Sequence, residues 1–73
     1  MAATRTLVEV VLNGEPHRIP EGITVLDLVA SLGRDPRTVA LERNGELVPR
    51  AHFGDTRLGE GDRLEVVHFV QGG

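Results

Sequence analysis

Chemistry in this sequence concentrates at its last two residues, Gly72 and Gly73, which follow the apolar run Leu64-Glu65-Val66-Val67-His68-Phe69-Val70. Two residues without side chains make a thin thread ending in a carboxylate. Such a thread can enter an enclosed active site where any Cβ would clash. A carboxylate is a poor electrophile until it is activated, for instance as an acyl-adenylate. The end of the chain is therefore a candidate substrate for another protein's chemistry, with Gly73 as the group modified and Gln71-Gly72-Gly73 as the tail entering partner active sites. Glycine also accumulates at frayed ends, where order is low, and the dipeptide by itself leaves both readings open.

No other set of residues offers comparable chemistry. His17, His52 and His68 are widely separated and there is no cysteine, so metal-ligand spacing and thiolate ligands are both missing. Ser31 falls inside a helical pattern without a base, and Asp55 and Asp62 read as turn formers. The stretch from Gly54 to Gly61 holds three glycines but neither a lysine nor a following helix, which excludes a phosphate-cradling loop. The expectation is a domain that is not itself an enzyme and binds no metal or cofactor of its own. His68 stands five residues before the last residue, near enough to approach the tail in a complex.

Seventy-three residues with 40% apolar content make one small domain, close to the lower size at which a single core is stable. A net charge of −3 with interspersed signs gives no footprint for nucleic acid or an anionic membrane. No apolar run is long enough to span a bilayer, and residues 1–6 lack the apolar segment of a signal peptide. The expected setting is the cytoplasm, and the expected free state a monomer. All eight basic residues are arginine, so the chain has no lysine amine through which it could be built into polymers of itself.

The elements that position the tail follow from local grammar. Residues 5–12 are rich in β-branched residues and suit a strand. Asn13-Gly14 is a type I′ turn pair, and the returning strand, 15–19, contains Pro16, which places it at a sheet edge. Val25, Leu28, Val29 and Leu32 then fall on one helical stripe. Thr24 and Asp27 form a capping-box pattern, Gly33 suits the C′ position, and Pro36 prevents continuation. A second strand pair, 38–43 and 46–49, turns at Asn44-Gly45. Residues 50–59 read as irregular, with a short 3₁₀ turn near Phe53 and Phe53 itself plugging the core. Glu60-Gly61-Asp62 leads into the last strand. The order ββ-α-ββ-β predicts an α+β, ubiquitin-like β-grasp fold, with one helix across a mixed sheet of four to five strands. The last strand is expected beside the first, in the sheet centre. The expected divisions are a lead at 1–5, the domain at 6–70 and a flexible tail at 71–73.

Strand alternation assigns the faces. Leu64 and Val66 point to the core, leaving Val67 and Phe69 outward; Glu9 likewise marks Leu7 and Val11 as outward. The expectation is one exposed apolar patch of Leu7, Val11, Val67 and Phe69 that docks a partner.

In this order the segments Leu12-Asn13-Gly14-Glu15, Pro20-Glu21-Gly22-Ile23-Thr24-Val25, Val39-Ala40-Leu41-Glu42-Arg43-Asn44-Gly45-Glu46-Leu47-Val48-Pro49-Arg50, Thr56-Arg57-Leu58 and Gly61-Asp62-Arg63-Leu64-Glu65-Val66-Val67 resemble the ubiquitin-like sulfur carriers. The likeness is greatest to the ThiS family, which carries sulfur for thiazole formation in thiamine biosynthesis. It covers about residues 6–73; Phe53 stands where tryptophan is expected and Gln71 where a small residue is common. The resemblance implies that a ThiF-like adenylyltransferase uses ATP and Mg²⁺ to form a Gly73 acyl-adenylate. Sulfur from a persulfide, supplied through a cysteine desulfurase, then replaces AMP, and a ThiG-like thiazole synthase accepts it from the thiocarboxylate. Other readings stay open at this point: the MoaD-like small subunit of molybdopterin synthase, a carrier serving another pathway, a ubiquitin-like protein modifier, or an interaction module with incidental glycines.

Overall fold

The computed structural model describes residues 6–69. The expected lead at 1–5 and the end of the chain from Val70 onward, including Gln71, Gly72 and Gly73, lie outside the described residues. Strand β1 (Leu7–Leu12) and strand β2 (Glu15–Pro20) form the first hairpin, followed by helix α1 (Val25–Ser31). A 3₁₀ turn (Pro36–Thr38) opens strand β3 (Val39–Arg43), and strand β4 (Glu46–Leu47), a second 3₁₀ turn (Arg50–His52) and strand β5 (Arg63–His68) complete the chain. The five strands make one sheet in the order β2-β1-β5-β3-β4. The last strand thus lies in the centre, parallel to β1 and antiparallel to β3, and Pro16 falls on an edge strand as its missing N–H requires.

Both hairpins turn as their Asn-Gly pairs dictate, with Asn13 and Asn44 at φ of 50° and 54°. The capping box is complete. Thr24 Oγ1 accepts from the Asp27 amide at 3.1 Å, and the Asp27 carboxylate accepts from the Thr24 amide at 3.1 Å. At the other end Gly33 N donates to Ala30 O and Arg34 N to Val29 O. These two bonds close a Schellman motif that needs the positive φ of Gly33. Helix α1 is too short to persist in water unaided. It is held by Val25, Leu28 and Val29, all fully buried against Val8, Val10, Ile19, Val39, Leu41 and Leu64. Each such side chain contributes about 2 kcal/mol relative to exposure. Phe53 is buried as expected; Leu32 and Val66 pack against the core rim.

β4 is shorter than the sequence predicts, because the chain leaves the sheet at Pro49 and enters the 3₁₀ turn at Arg50. Asp62, expected to be a turn former only, is the single buried charged residue among those described. Its carboxylate accepts from Gly59 N at 2.9 Å, Asn44 Nδ2 at 3.1 Å and Arg43 Nε at 3.2 Å. Desolvation raises its pKa, but these donors outweigh that effect and hold the carboxyl below the ordinary range.

A folded-state pKa below the unfolded value of about 3.9 means that Asp62 stabilises fully above that pH and loses its contribution as pH falls through the folded pKa. Asp62→Ala should cost about 2 kcal/mol near neutrality. The gap between wild type and variant should narrow as pH falls below about 4, as read from urea midpoints. A gap that does not change with pH would remove Asp62 from the acid response.

Candidate functional site

The tail's root is fixed from two directions. β5 pairs with β3 along Val39↔His68, Ala40↔Val67 and Leu41↔Val66, and beyond the strand Phe69 N donates to Thr38 O at 2.8 Å. The bond to Thr38 ties the last described residue to the 3₁₀ turn that precedes β3. That turn is itself capped by Asp35, whose carboxylate accepts from Arg37 N at 2.9 Å and from the Arg37 guanidinium at 2.9 and 3.2 Å. Hydrogen bonding to the Arg37 side chain holds the Asp35 carboxyl below its ordinary pKa.

One sheet face is covered by α1; the other is open. Alternation assigned its residues correctly: Leu7, Val67 and Phe69 are 55%, 57% and 41% exposed, and Val11 is half-buried. The expected single patch does not form, however. Val11 lies opposite Arg63 in the parallel register. Leu7 is four residues before Val11 and Val67 four residues after Arg63, which puts them roughly 25 Å apart along the strands. Period-2 alternation fixes the side of a residue, whereas register fixes its position along that side. Leu7 sits at the far end beside Pro20, and Val11 is separated from Val67 by Arg63 and Glu65.

The apolar surface beside the tail is built instead from β3, β4 and β5. Ala40 is the neighbour of Val67, and Leu47, opposite Glu42, is 63% exposed on the same face. A dent of about 170 Å³ between Ala40, Leu47, Pro49, Arg50 and Phe69 has the buried Val39, Val48 and Phe53 in its walls. Leu47 was missed by sequence reasoning, although a two-residue Asn-Gly turn pairs Glu42 with Leu47 and so sets its side. Glu42 and Glu65 face each other directly across β3 and β5 at the border of this surface. Neither makes an ion pair within 4.0 Å among the described residues, and like charges so placed are destabilising.

The histidines are dispersed: His52 Nδ1 lies 3.3 Å from the Asp55 carboxylate, and no group of three or more potential ligands occurs among the described residues. Nor, among them, is any helix long and apolar enough to cross a membrane.

A β-grasp sheet whose central last strand runs out beside an exposed apolar patch places the protein in the ubiquitin-like class of small domains. The sequence model of the ThiS family matches residues 5–73, and the chain belongs to that family. It is 38% identical over 62 residues to the sulfur carrier protein ThiS of Thermus thermophilus, covering 85% of this chain and 95% of that protein. It superposes on the crystal structure of the thiamine biosynthesis protein ThiS from Geobacter metallireducens with a TM-score of 0.78 at 30% identity, covering 90% of this chain and all of that one. A third relative, named thiazole synthase, from Magnetococcus marinus, is 48% identical over 62 residues. The match covers 85% of this chain, which spans only 19% of that relative's length.

The patch does not hold the fold together. Leu47→Ser and Val67→Thr should each move the unfolding free energy by no more than about 0.5 kcal/mol, whereas Phe53→Ala should cost about 3–4 kcal/mol. Urea denaturation of the three variants checks this. A large loss at Leu47 or Val67 would make them structural residues.

Proposed function

We propose that the chain is a sulfur carrier of thiamine biosynthesis, working in the cytoplasm, and that Gly73 is the residue that carries the sulfur. The observation that supports this most directly is the coincidence, at one end of β5, of the apolar patch and the root of the Gly-Gly tail. The patch supplies area for docking, and the thread beyond it supplies a carboxylate that fits where side chains would not. The match to the ThiS family runs through Gly73.

In the chemistry we infer, a ThiF-like adenylyltransferase joins the Gly73 carboxylate to the α-phosphorus of ATP, with Mg²⁺, releasing pyrophosphate. The terminal sulfur of a persulfide, charged by a cysteine desulfurase, attacks the acyl carbon, and AMP leaves with the bonding electrons. A thiol then reduces the acyl disulfide to the thiocarboxylate. A ThiG-like thiazole synthase takes the sulfur into its substrate in exchange for a carbonyl oxygen of that substrate, and this oxygen restores the Gly73 carboxylate. Kinship with a segment of a protein named thiazole synthase supports that acceptor.

Intact mass after incubation with adenylyltransferase, ATP-Mg²⁺ and a persulfide donor tests the reading. The expected result is the increment of one O-to-S exchange, located at Gly73 and absent when Gly73 is deleted. No increment, with the enzyme active on another carrier, would overturn it. In the same assay Val67→Asp with Phe69→Asp should abolish capture by the adenylyltransferase, while Leu7→Asp should leave it unchanged. Equal losses would mean that the docking surface extends along the whole open face.

A further inference from the structure

The segment Val48-Pro49-Arg50 contributes nothing to the tail's chemistry, yet its arginine side chain reaches the corner from which the tail departs. We propose that Arg50 is a positioning residue that sets the trajectory of the tail; the inference rests on the carrier reading above.

β4 ends early, and that leaves a gap. Val48 N donates to Leu41 O at 2.9 Å, the last backbone bond across this edge of β3. Two residues back along the same edge stands Val39 O; the group that would reach it in a continued ladder, Arg50 N, does not, because the chain turns into 3₁₀ geometry at Arg50. The Arg50 side chain takes over. Its Nη2 donates to Val39 O at 3.2 Å and its Nε to Pro36 O at 3.0 Å.

These two carbonyls bracket Thr38, whose own carbonyl receives Phe69 N. One planar fork thus holds both sides of the corner that anchors Phe69, the last described residue. An ammonium group is a point donor on a flexible stem and cannot hold two carbonyls at fixed angles in this way. Four residues follow Phe69, reaching at most about 14 Å, so the position of the root bounds where the reacting carboxylate can be placed. Misplacement of a reacting group by about 1 Å can cost on the order of a hundredfold in rate.

The test is Arg50→Lys, which keeps the charge and removes the fork. Backbone amide exchange at Phe69 should accelerate about tenfold or more, while Leu28, in the buried helix, exchanges as in wild type. In adenylation assays kcat should fall about tenfold, with KM for the carrier within about twofold, because Ala40, Leu47, Val67 and Phe69 of the docking patch are unchanged. Unchanged exchange at Phe69 would overturn the proposal. So would equal acceleration at Leu28, which means loss of global stability, and so would a rise in KM at constant kcat, which means a direct contact with the enzyme. The exchange measurement needs no partner. A wild-type protein that is never adenylated would therefore defeat the carrier reading while the clamp at Phe69 is judged separately.

Discussion

The central strand is gripped from both flanks, by β3 along nearly its whole length and by β1 only near its start, and on the carrier reading it leads into the segment that reacts. β1 pairs with β5 over two positions, Val11↔Arg63 and Leu12↔Leu64, before its chain turns away. The turn residue extends the grip. Asn13 N donates to Leu64 O at 2.9 Å, and its side-chain oxygen accepts from Val66 N at 2.8 Å. On the other flank Asn44 N donates to Arg63 O at 2.7 Å, and its side chain accepts from Arg63 N and donates to Asp62. A glycine at either position would satisfy the turn, since the requirement there is positive φ. A side-chain oxygen one carbon beyond Cβ also continues the ladder, and at Asn44 the amide nitrogen donates to Asp62 as well. Asparagine meets both demands in one residue.

Much of this was legible in the sequence, for a definite reason. Turns, capping box, Schellman glycine and helical stripe are each fixed by residues within a few positions of one another, and all of them formed. In-or-out assignment along β1 and β5 was also local and also correct. What the sequence did not disclose was non-local. The parallel offset of β1 against β5 sent Leu7 to the wrong end of the face, and the burial of Asp62 depends on Arg43 and Asn44, 19 and 18 residues away. The reach of Arg50 to Pro36 and Val39 spans 14 and 11 residues and has no periodic signature. Turn grammar read Asn13 and Asn44 correctly and yet missed half of what they do.

The two faces of the sheet obey different rules. On the helix side every large position is aliphatic or Phe53, packed without a buried unsatisfied side-chain polar atom among the described residues. On the open side Leu47, Val67 and Phe69 stand in water beside two carboxylates that face each other. Stability gains nothing from that second arrangement, and a domain of this size has little stability to spare. On the carrier reading such a surface is explained by the partner that docks on it. The all-arginine composition fits the same picture: an activated Gly73 would meet no lysine amine on its own chain, and guanidinium groups stay protonated.

On the carrier reading the tail must enter at least two active sites in turn, one that activates Gly73 and one that takes its sulfur. Only four residues separate the described end of the domain from the reacting carbon. Any enclosed site that receives the thread therefore also covers the surface at its root. Both partners then compete for the same patch of Ala40, Leu47, Val67 and Phe69, and the carrier can be held by one at a time. Very tight docking to either would stall the cycle, because affinity differences between related complexes are expressed mostly in dissociation rates. A small apolar patch with a shallow dent suits this requirement better than a large interface would. Specificity is left to the thread, whose fit is tested only when its carboxylate reaches the reacting centre.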